Sequence, residues 1–261
     1  MTSTAEKPIA DQTKQPAAEA PLVVSGLHKA FGSQKVLDGV DLRADRGETI
    51  VVLGKSGTGK SVLLKLIVGL QKPDSGSIRV MGEEIVGLDM DHLNEIRKKI
   101  GFLFQQAALY DSLTVAENVE FPLDRHTTLP EAERREKVRT LLASVGMEDA
   151  LNKMPSDISG GMQKRVGLAR ALALDPEILL FDEPTSGLDP ITTAEIGELV
   201  VKLQKERNLT SVVVTHDIHS AKSFADRFVL LREGKVVIDG TFSQLEQSSD
   251  SFVVQFLKDA G

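Results

Sequence analysis

Eight consecutive residues, Gly54-Lys55-Ser56-Gly57-Thr58-Gly59-Lys60-Ser61, combine glycines, a lysine and a hydroxyl in an order suited to holding a phosphate chain. Glycines let the backbone turn tightly, so that successive N–H groups converge on an anion. Lys60 adds a mobile cation for the β- and γ-phosphates, and Ser61 offers a hydroxyl to Mg²⁺. The ligand this implies is a nucleoside triphosphate. A second chemical pair, Asp182-Glu183, closes the apolar run Ile178-Leu179-Leu180-Phe181. There Asp182 suits a metal held through water, and Glu183 suits polarising an attacking water. On these residues alone, an ordinary strand end with acidic capping is an equally open reading.

The elements needed to position both groups are legible around them. Thr49–Leu53 reads as a buried strand entering the loop, and the apolar run from Val62 to Val68 reads as the helix leaving it. A helix starting near Lys60 points free N–H groups and its positive dipole end at the phosphate position. Further strands are predicted at Leu22–Ser25, Val36–Ala44, Ser77–Val80 and Ile100–Phe104, with a helix near His92–Lys98. From about residue 89 to 160 the pattern turns mainly helical and predicts an inserted subdomain. Its clearest helix opens on Thr128-Leu129-Pro130-Glu131, read as a capping box. That helix carries the stripe Val138, Leu141, Leu142, Val145 and stops at Gly146. A second α/β half follows: helix Gly160–Leu174, strand Ile178–Phe181, and a helix Pro190–Arg207 with Asp189 as N-cap. Strand Ser211–Thr215, a short helix and the hairpin Phe228–Asp239 around Glu233-Gly234 complete it. Strands alternating with helices imply a mostly parallel sheet.

Composition narrows the class. The chain has 261 residues, 41% hydrophobic and 26% charged, as an ordinary globular domain does. The absence of cysteine excludes disulfides and thiolate metal sites. A net charge of −7 gives no electrostatic support to a nucleic-acid partner. Residues 1–20 read as a disordered tail rather than a signal peptide, since they hold no apolar block. No run of 18 apolar residues suggests a membrane span, so a membrane connection has to come through a partner.

Taken in order, these motifs resemble the nucleotide-binding subunit of ABC transporters over about residues 22–245. The segment Ile158-Ser159-Gly160-Gly161-Met162-Gln163-Lys164-Arg165 precedes the acidic strand. Ser186-Gly187-Leu188-Asp189 and Val214-Thr215-His216-Asp217 follow it. The resemblance implies an α/β fold: a P-loop NTPase (RecA-like) core, an antiparallel β subdomain and an inserted α-helical subdomain. It spans residues 21–245 and leaves 246–261 as a C-terminal helical tail.

Several roles rest on the resemblance alone. Phe31, which by itself reads as a core residue, becomes the aromatic stacked on adenine. Gln105 becomes the glutamine that reaches Mg²⁺ and the attacking water, and His216, otherwise read as structural, the contact to the γ-phosphate. Ser159, Gly160, Gly161 and Asp189 join the nucleotide-binding set, with ATP and Mg²⁺ as ligands. The first three of these face the phosphate loop of a second subunit in this family, so a homodimer is implied. Met162 stands where glutamine is usual and forfeits one side-chain hydrogen bond.

Within the family, the stretches Leu103–Val115 and Glu117–Leu123, Met162 and the ending Val254–Leu257 resemble ATPases of bacterial lipid-trafficking systems of the Mla/Mce type. That resemblance implies transport of phospholipid or another hydrophobic cargo across the envelope. It also implies membrane permease subunits, a small accessory subunit and periplasmic lipid-binding proteins as partners, at the cytoplasmic face of the inner membrane. An amino-acid or other small-solute importer, and a cell-division ATPase, are the alternatives. The loop Gln106–Leu113, with Leu109 and Tyr110, either borders a permease groove or packs within the subunit. The final apolar face, Phe252, Val253, Phe256 and Leu257, is expected to pack on the chain's own core.

Overall fold

The computed structural model describes residues 19–259, so the expected N-terminal tail lies, apart from Glu19 and Ala20, outside the described residues. The chain opens on an antiparallel pair, β1 (Leu22–Phe31) and β2 (Gln34–Ala44). β1 runs six residues past the expected end at Ser25. Gly26 takes φ 54 and donates its N–H to Asp41 Oδ1 at 2.7 Å, and the register with β2 shifts between Val24 and Leu27. The glycine marks a bulge, which bends a strand without ending it.

β3 (Thr49–Leu53) feeds the phosphate loop and α1 (Lys60–Ile67). β4 (Ser75–Val80) and β5 (Glu83–Glu84) complete a four-stranded antiparallel sheet in the order β2-β1-β4-β5. Next come α2 (Met90–Lys98), capped by Asp89, and β6 (Ile100–Leu103). Helices α3 (Val115–His126), α4 (Glu131–Ser144) and α5 (Gly160–Ala171) follow. The second half holds β7 (Ile178–Asp182), α6 (Pro190–Arg207), β8 (Thr210–Thr215) and α7 (Ile218–Lys222). It ends with β9 (Arg227–Arg232), β10 (Lys235–Gly240), α8 (Phe242–Glu246) and α9 (Ser251–Asp259).

The second sheet has the order β10-β9-β3-β8-β7-β6. Its strands are parallel except β10, which returns antiparallel through the turn at Glu233 and Gly234, both with positive φ. Burial on both faces explains the unbroken apolar runs. Ile50 and Val52 of β3, with Ile178 and Leu180 of β7, enter one core together with α1 and the antiparallel sheet. Val51, Leu53, Leu179 and Phe181 enter the other, beneath α3 to α6 and α9. Each such buried side chain contributes on the order of 2 kcal/mol.

Two expectations change within the helical stretch. β6 falls inside the range 89–160 but pairs in parallel with β7, so the departure from the sheet comes after Leu103. Thr128 does not cap α4; the N-cap is Pro130, with no side-chain cap bond. A residue preceding proline is pushed out of the helical region, which delays the start past Leu129. The actual capping box is Thr114 with Glu117, at the start of α3. The α4 stripe Val138, Leu141, Leu142, Val145 is buried as expected, and Gly146 ends the helix at φ 68.

Candidate functional site

The carboxyl ends of β3, β7 and β8 meet at one edge of the parallel sheet, the usual ligand position in open α/β folds. They border a cavity of about 910 Å³. Gly54, Lys55, Ser56, Gly57, Gly59, Lys60 and Ser61 line it, as do Phe31, Gln105, Glu183 and His216. Gly57 and Gly59 sit at φ 81 and 98, and a Cβ on Gly59 would lie 2.8 Å from the carbonyl oxygen of Val36. Only glycine fits there. Thr58 turns away and donates its hydroxyl to the Lys55 carbonyl at 2.9 Å, bracing the loop.

Lys60 is buried, and its Nζ donates to the carbonyls of Gly54 at 2.8 Å and Lys55 at 3.2 Å. It also stands 3.8 Å from Glu183 Oε1. Burial holds the Lys60 ammonium below its ordinary pKa, against the opposing pull of Glu183 and Asp182. The cation is thus parked on backbone carbonyls, from which an arriving phosphate can take it.

Glu183 takes a left-handed backbone, φ 49, unusual for a side-chain-bearing residue. Its Oε2 accepts from the Thr215 hydroxyl at 3.2 Å and lies 2.9 Å from His216 Nδ1. His216 remains 64% exposed and faces the cavity from the end of the neighbouring strand β8. Gln105, exposed after β6, donates from Nε2 to Ser186 Oγ at 3.4 Å. Phe31 is 48% exposed at the cavity wall, so the core reading of that ring is excluded.

A metal position was expected at Ser61, Gln105 and Asp182. Ser61 Oγ donates to Asp182 Oδ1 at 2.8 Å, which puts a hydroxyl and a carboxylate side by side below the loop. Among the described residues no cluster of three or more His, Cys, Asp or Glu could hold a metal. An all-oxygen pair of this kind fits Mg²⁺, which binds few protein ligands and completes its shell with waters and phosphate oxygens.

The remaining expected residues lie outside this cavity. Ser159 caps α5, accepting from the Met162 N–H at 3.3 Å, and Ser159 and Gly160 are exposed. A Cβ on Gly161 would meet Thr192 Cγ2 of α6 at 2.5 Å. Asp189 spends its carboxylate on the start of α6, accepting from the N–H groups of Ile191 and Thr192 and the Thr192 hydroxyl. The Thr192 hydroxyl and N–H hold its pKa below the usual carboxylate value.

Residues 37–186 match the model of the ABC transporter family, with its phosphate loop and acidic strand end inside the matched stretch. The chain belongs to the ABC transporter family. This ABC protein binds and hydrolyses ATP. It is 44% identical over 227 residues to the intermembrane phospholipid transport ATP-binding protein MlaF of Haemophilus influenzae, covering 87% of this chain and 86% of that one. It is 39% identical over 255 residues to the methionine import ATP-binding protein MetN of Brucella abortus, covering 97% of this chain and 67% of that one. Among solved structures, the dimeric post-hydrolysis state of the cassette MJ0796 bound to ADP and Pi matches with a TM-score of 0.78 at 38% identity, covering 84% of this chain and 98% of that one.

Val36, Val62 and Asp217 join the lining beside expected residues, and a contribution from the C-terminal helix was not anticipated. Phe256 and Asp259 of α9 reach the same cavity, and Asp259 Oδ2 lies 3.6 Å from Lys55 Nζ. No local pattern announces that contact, because it joins positions about two hundred residues apart.

Proposed function

We propose that this ABC ATPase works as a homodimer on a membrane permease and powers phospholipid movement between membranes of the bacterial envelope. The observation that carries the dimer is the placement of Ser159, Gly160 and Gly161. They form a helix start whose first two residues are exposed while Gly161 packs against α6, well suited to a γ-phosphate, yet all three lie outside the cavity of their own chain. A second copy supplies the missing donors, and two ATP molecules are enclosed between the pair. That MJ0796 was solved as a dimer supports this reading.

In the closed pair, Lys60 and the loop N–H groups hold the phosphates, Phe31 stacks on the base and His216 contacts the γ-phosphate. Glu183 orients the attacking water, and the neighbouring hydroxyl and ring nitrogen fix its carboxylate. Ser61 and Asp182, with Gln105 approaching from its loop, would hold Mg²⁺, which would neutralise phosphate charge. Hydrolysis removes the bridging charge and lets the pair open.

An apolar groove of about 420 Å³ offers the permease contact, with Phe102, Phe104, Tyr110 and Phe121 in its wall. Tyr110 is 45% exposed and its ring centroid lies 4.7 Å from that of Phe121. Leu109 packs inward on the core instead, so only Tyr110 of the two loop residues serves the groove. Among the described residues no helix is long and apolar enough to cross a membrane. Docking at this groove would place the chain on the cytoplasmic face of the inner membrane.

The MlaF likeness over most of both chains supports a lipid cargo. Amino-acid import is the second reading, favoured by the likeness to MetN. Purification with native membrane partners, followed by mass spectrometry of proteins and lipids, separates the two. Co-purifying phospholipid with a multi-span permease is expected; an amino-acid permease without lipid would replace the first reading by the second.

A further inference from the structure

A lysine that no motif reading singled out lies behind the catalytic carboxylates. Lys164, on α5, is 5% exposed. Its ammonium donates to the carbonyl oxygen of Gln105 and to that of Glu183, the latter at 3.3 Å. Burying a cation is costly unless carboxylates and acceptors surround it. Burial does lower the Lys164 pKa, with Asp182 and Glu183 acting in the opposite direction. An apolar side chain could fill the same space without that cost. The charge is therefore explained better by what it holds than by packing.

The neighbours on the same helix face act in concert. Lys164, Gly167 and Arg170 recur every three residues, so they share one side of α5. A Cβ on Gly167 would come within 2.8 Å of Leu103 Cδ1 and 3.1 Å of Ala107 Cβ, so the helix lies directly against the end of β6. Arg170 donates to the carbonyls of Ala107 at 2.7 Å and Ala108 at 2.8 Å. Those alanines sit at φ 56 and 48, a left-handed conformation that alanine does not favour and that needs outside support. One helix face thus grips the carbonyls of Gln105, Ala107 and Ala108, and through Lys164 also that of Glu183. The same helix begins at Ser159, about 7.5 Å along the axis from Lys164.

We propose that Lys164 is a positioning residue for ATP hydrolysis: it locks the Gln105 loop and the Glu183 backbone to the helix that carries Ser159. A displacement of the Ser159 end on meeting a second copy is thereby passed to both groups around the γ-phosphate. The proposal rests on the roles given above to Glu183 and Gln105. Lys164 itself does not line the nucleotide cavity.

The test uses the full chain with Mg²⁺ and ATP, comparing Lys164→Met, Lys164→Gln and Lys164→Arg with Glu183→Gln. Misplacement of reacting groups by about 1 Å can lower turnover on the order of 100-fold. Lys164→Met is expected to lower kcat by about tenfold or more while KM for ATP and equilibrium ATP affinity stay within about twofold. Lys164→Arg, which keeps a charged donor, should recover most of that loss, and Lys164→Gln should fall between. Should Lys164→Met prove insoluble, the kcat of Lys164→Gln against Lys164→Arg decides. Wild-type kcat in the folded neutral variants, with only a lower melting temperature, would overturn the proposal. In that event an inactive Glu183→Gln leaves the catalytic reading intact, whereas an active Glu183→Gln sinks the reading beneath it.

Discussion

Glu183 and His216 meet at 2.9 Å, carboxylate to ring nitrogen, across the ends of two adjacent parallel strands. The glutamate reaches that position from a left-handed backbone whose N–H is held by the Val214 carbonyl at 2.9 Å. Its geometry is therefore set by the sheet before any nucleotide arrives. Glu183→Gln preserves shape and the Thr215 contact but removes the carboxylate proposed to activate the water. Hydrolysis should fall about 10²- to 10⁴-fold, measured as phosphate release, with ATP binding retained. Light scattering should then find an ATP-dependent dimer; a monomer, or full activity, would contradict the role.

The exposed ring of Phe31 makes a second test. Stacking of a base on an aromatic ring is worth about 1–3 kcal/mol by alanine substitution. Phe31→Ala should raise KM for ATP about tenfold, since 1.4 kcal/mol is a factor of ten. Phe31→Tyr should leave it near wild type, because the π-face is retained. Half-exposed as the ring is, neither change should move the melting temperature much. An unchanged KM in the alanine variant would show that the base binds elsewhere.

How much of this was readable in the chain depends on the range of the interaction. The phosphate loop was legible because its strand, glycines and helix are contiguous, and the α4 stripe because a helix repeats its own period. Thr128-x-x-Glu131 and Thr114-x-x-Glu117 carry the same local pattern, yet only the second forms a capping box. The difference is Pro130, which denies Leu129 a helical conformation. The first strand was expected to stop at Ser25, whereas Gly26 only bulges it, a distinction that the pairing with the partner strand makes. The core packing of Phe256 was legible in the final apolar face, but its place at the cavity and the contacts of Lys164 were silent, since they arise from segments far away in sequence.

A shared site predicts complementation. Lys60→Ala removes the phosphate cation, and Ser159→Arg blocks the helix start that a second copy would offer. Each variant alone should be inactive. In a heterodimer of the two, one pocket carries both defects and the other carries none. An equal mixture should therefore regain up to about a quarter of wild-type hydrolysis, if the two kinds of chain pair at random in a two-fold dimer. Recovery absent at every mixing ratio, with heterodimers verified by differential tags, would mean that Ser159 serves its own chain.

The C-terminal helix gives the last test. Val253 and Phe256 are buried against the main core, and Arg232 lies over the Phe252 ring at 4.7 Å. A nine-residue helix is marginal in isolation, so this docking is what keeps it helical. Phe256→Ala should cost about 3 kcal/mol, the low end for a buried phenylalanine because a terminal helix can relax. At about 2–4 °C per kcal/mol for a chain of this size, the melting temperature should fall by about 6–12 °C. Because Phe256 also lines the nucleotide cavity, KM for ATP should rise in the same variant. Asp259→Ala breaks an exposed ion pair with Lys55 and an exposed hydrogen bond from Gln255, and should cost less than about 1 kcal/mol. Equal melting temperatures for wild type and Phe256→Ala would mean that the helix does not rest on this core in solution.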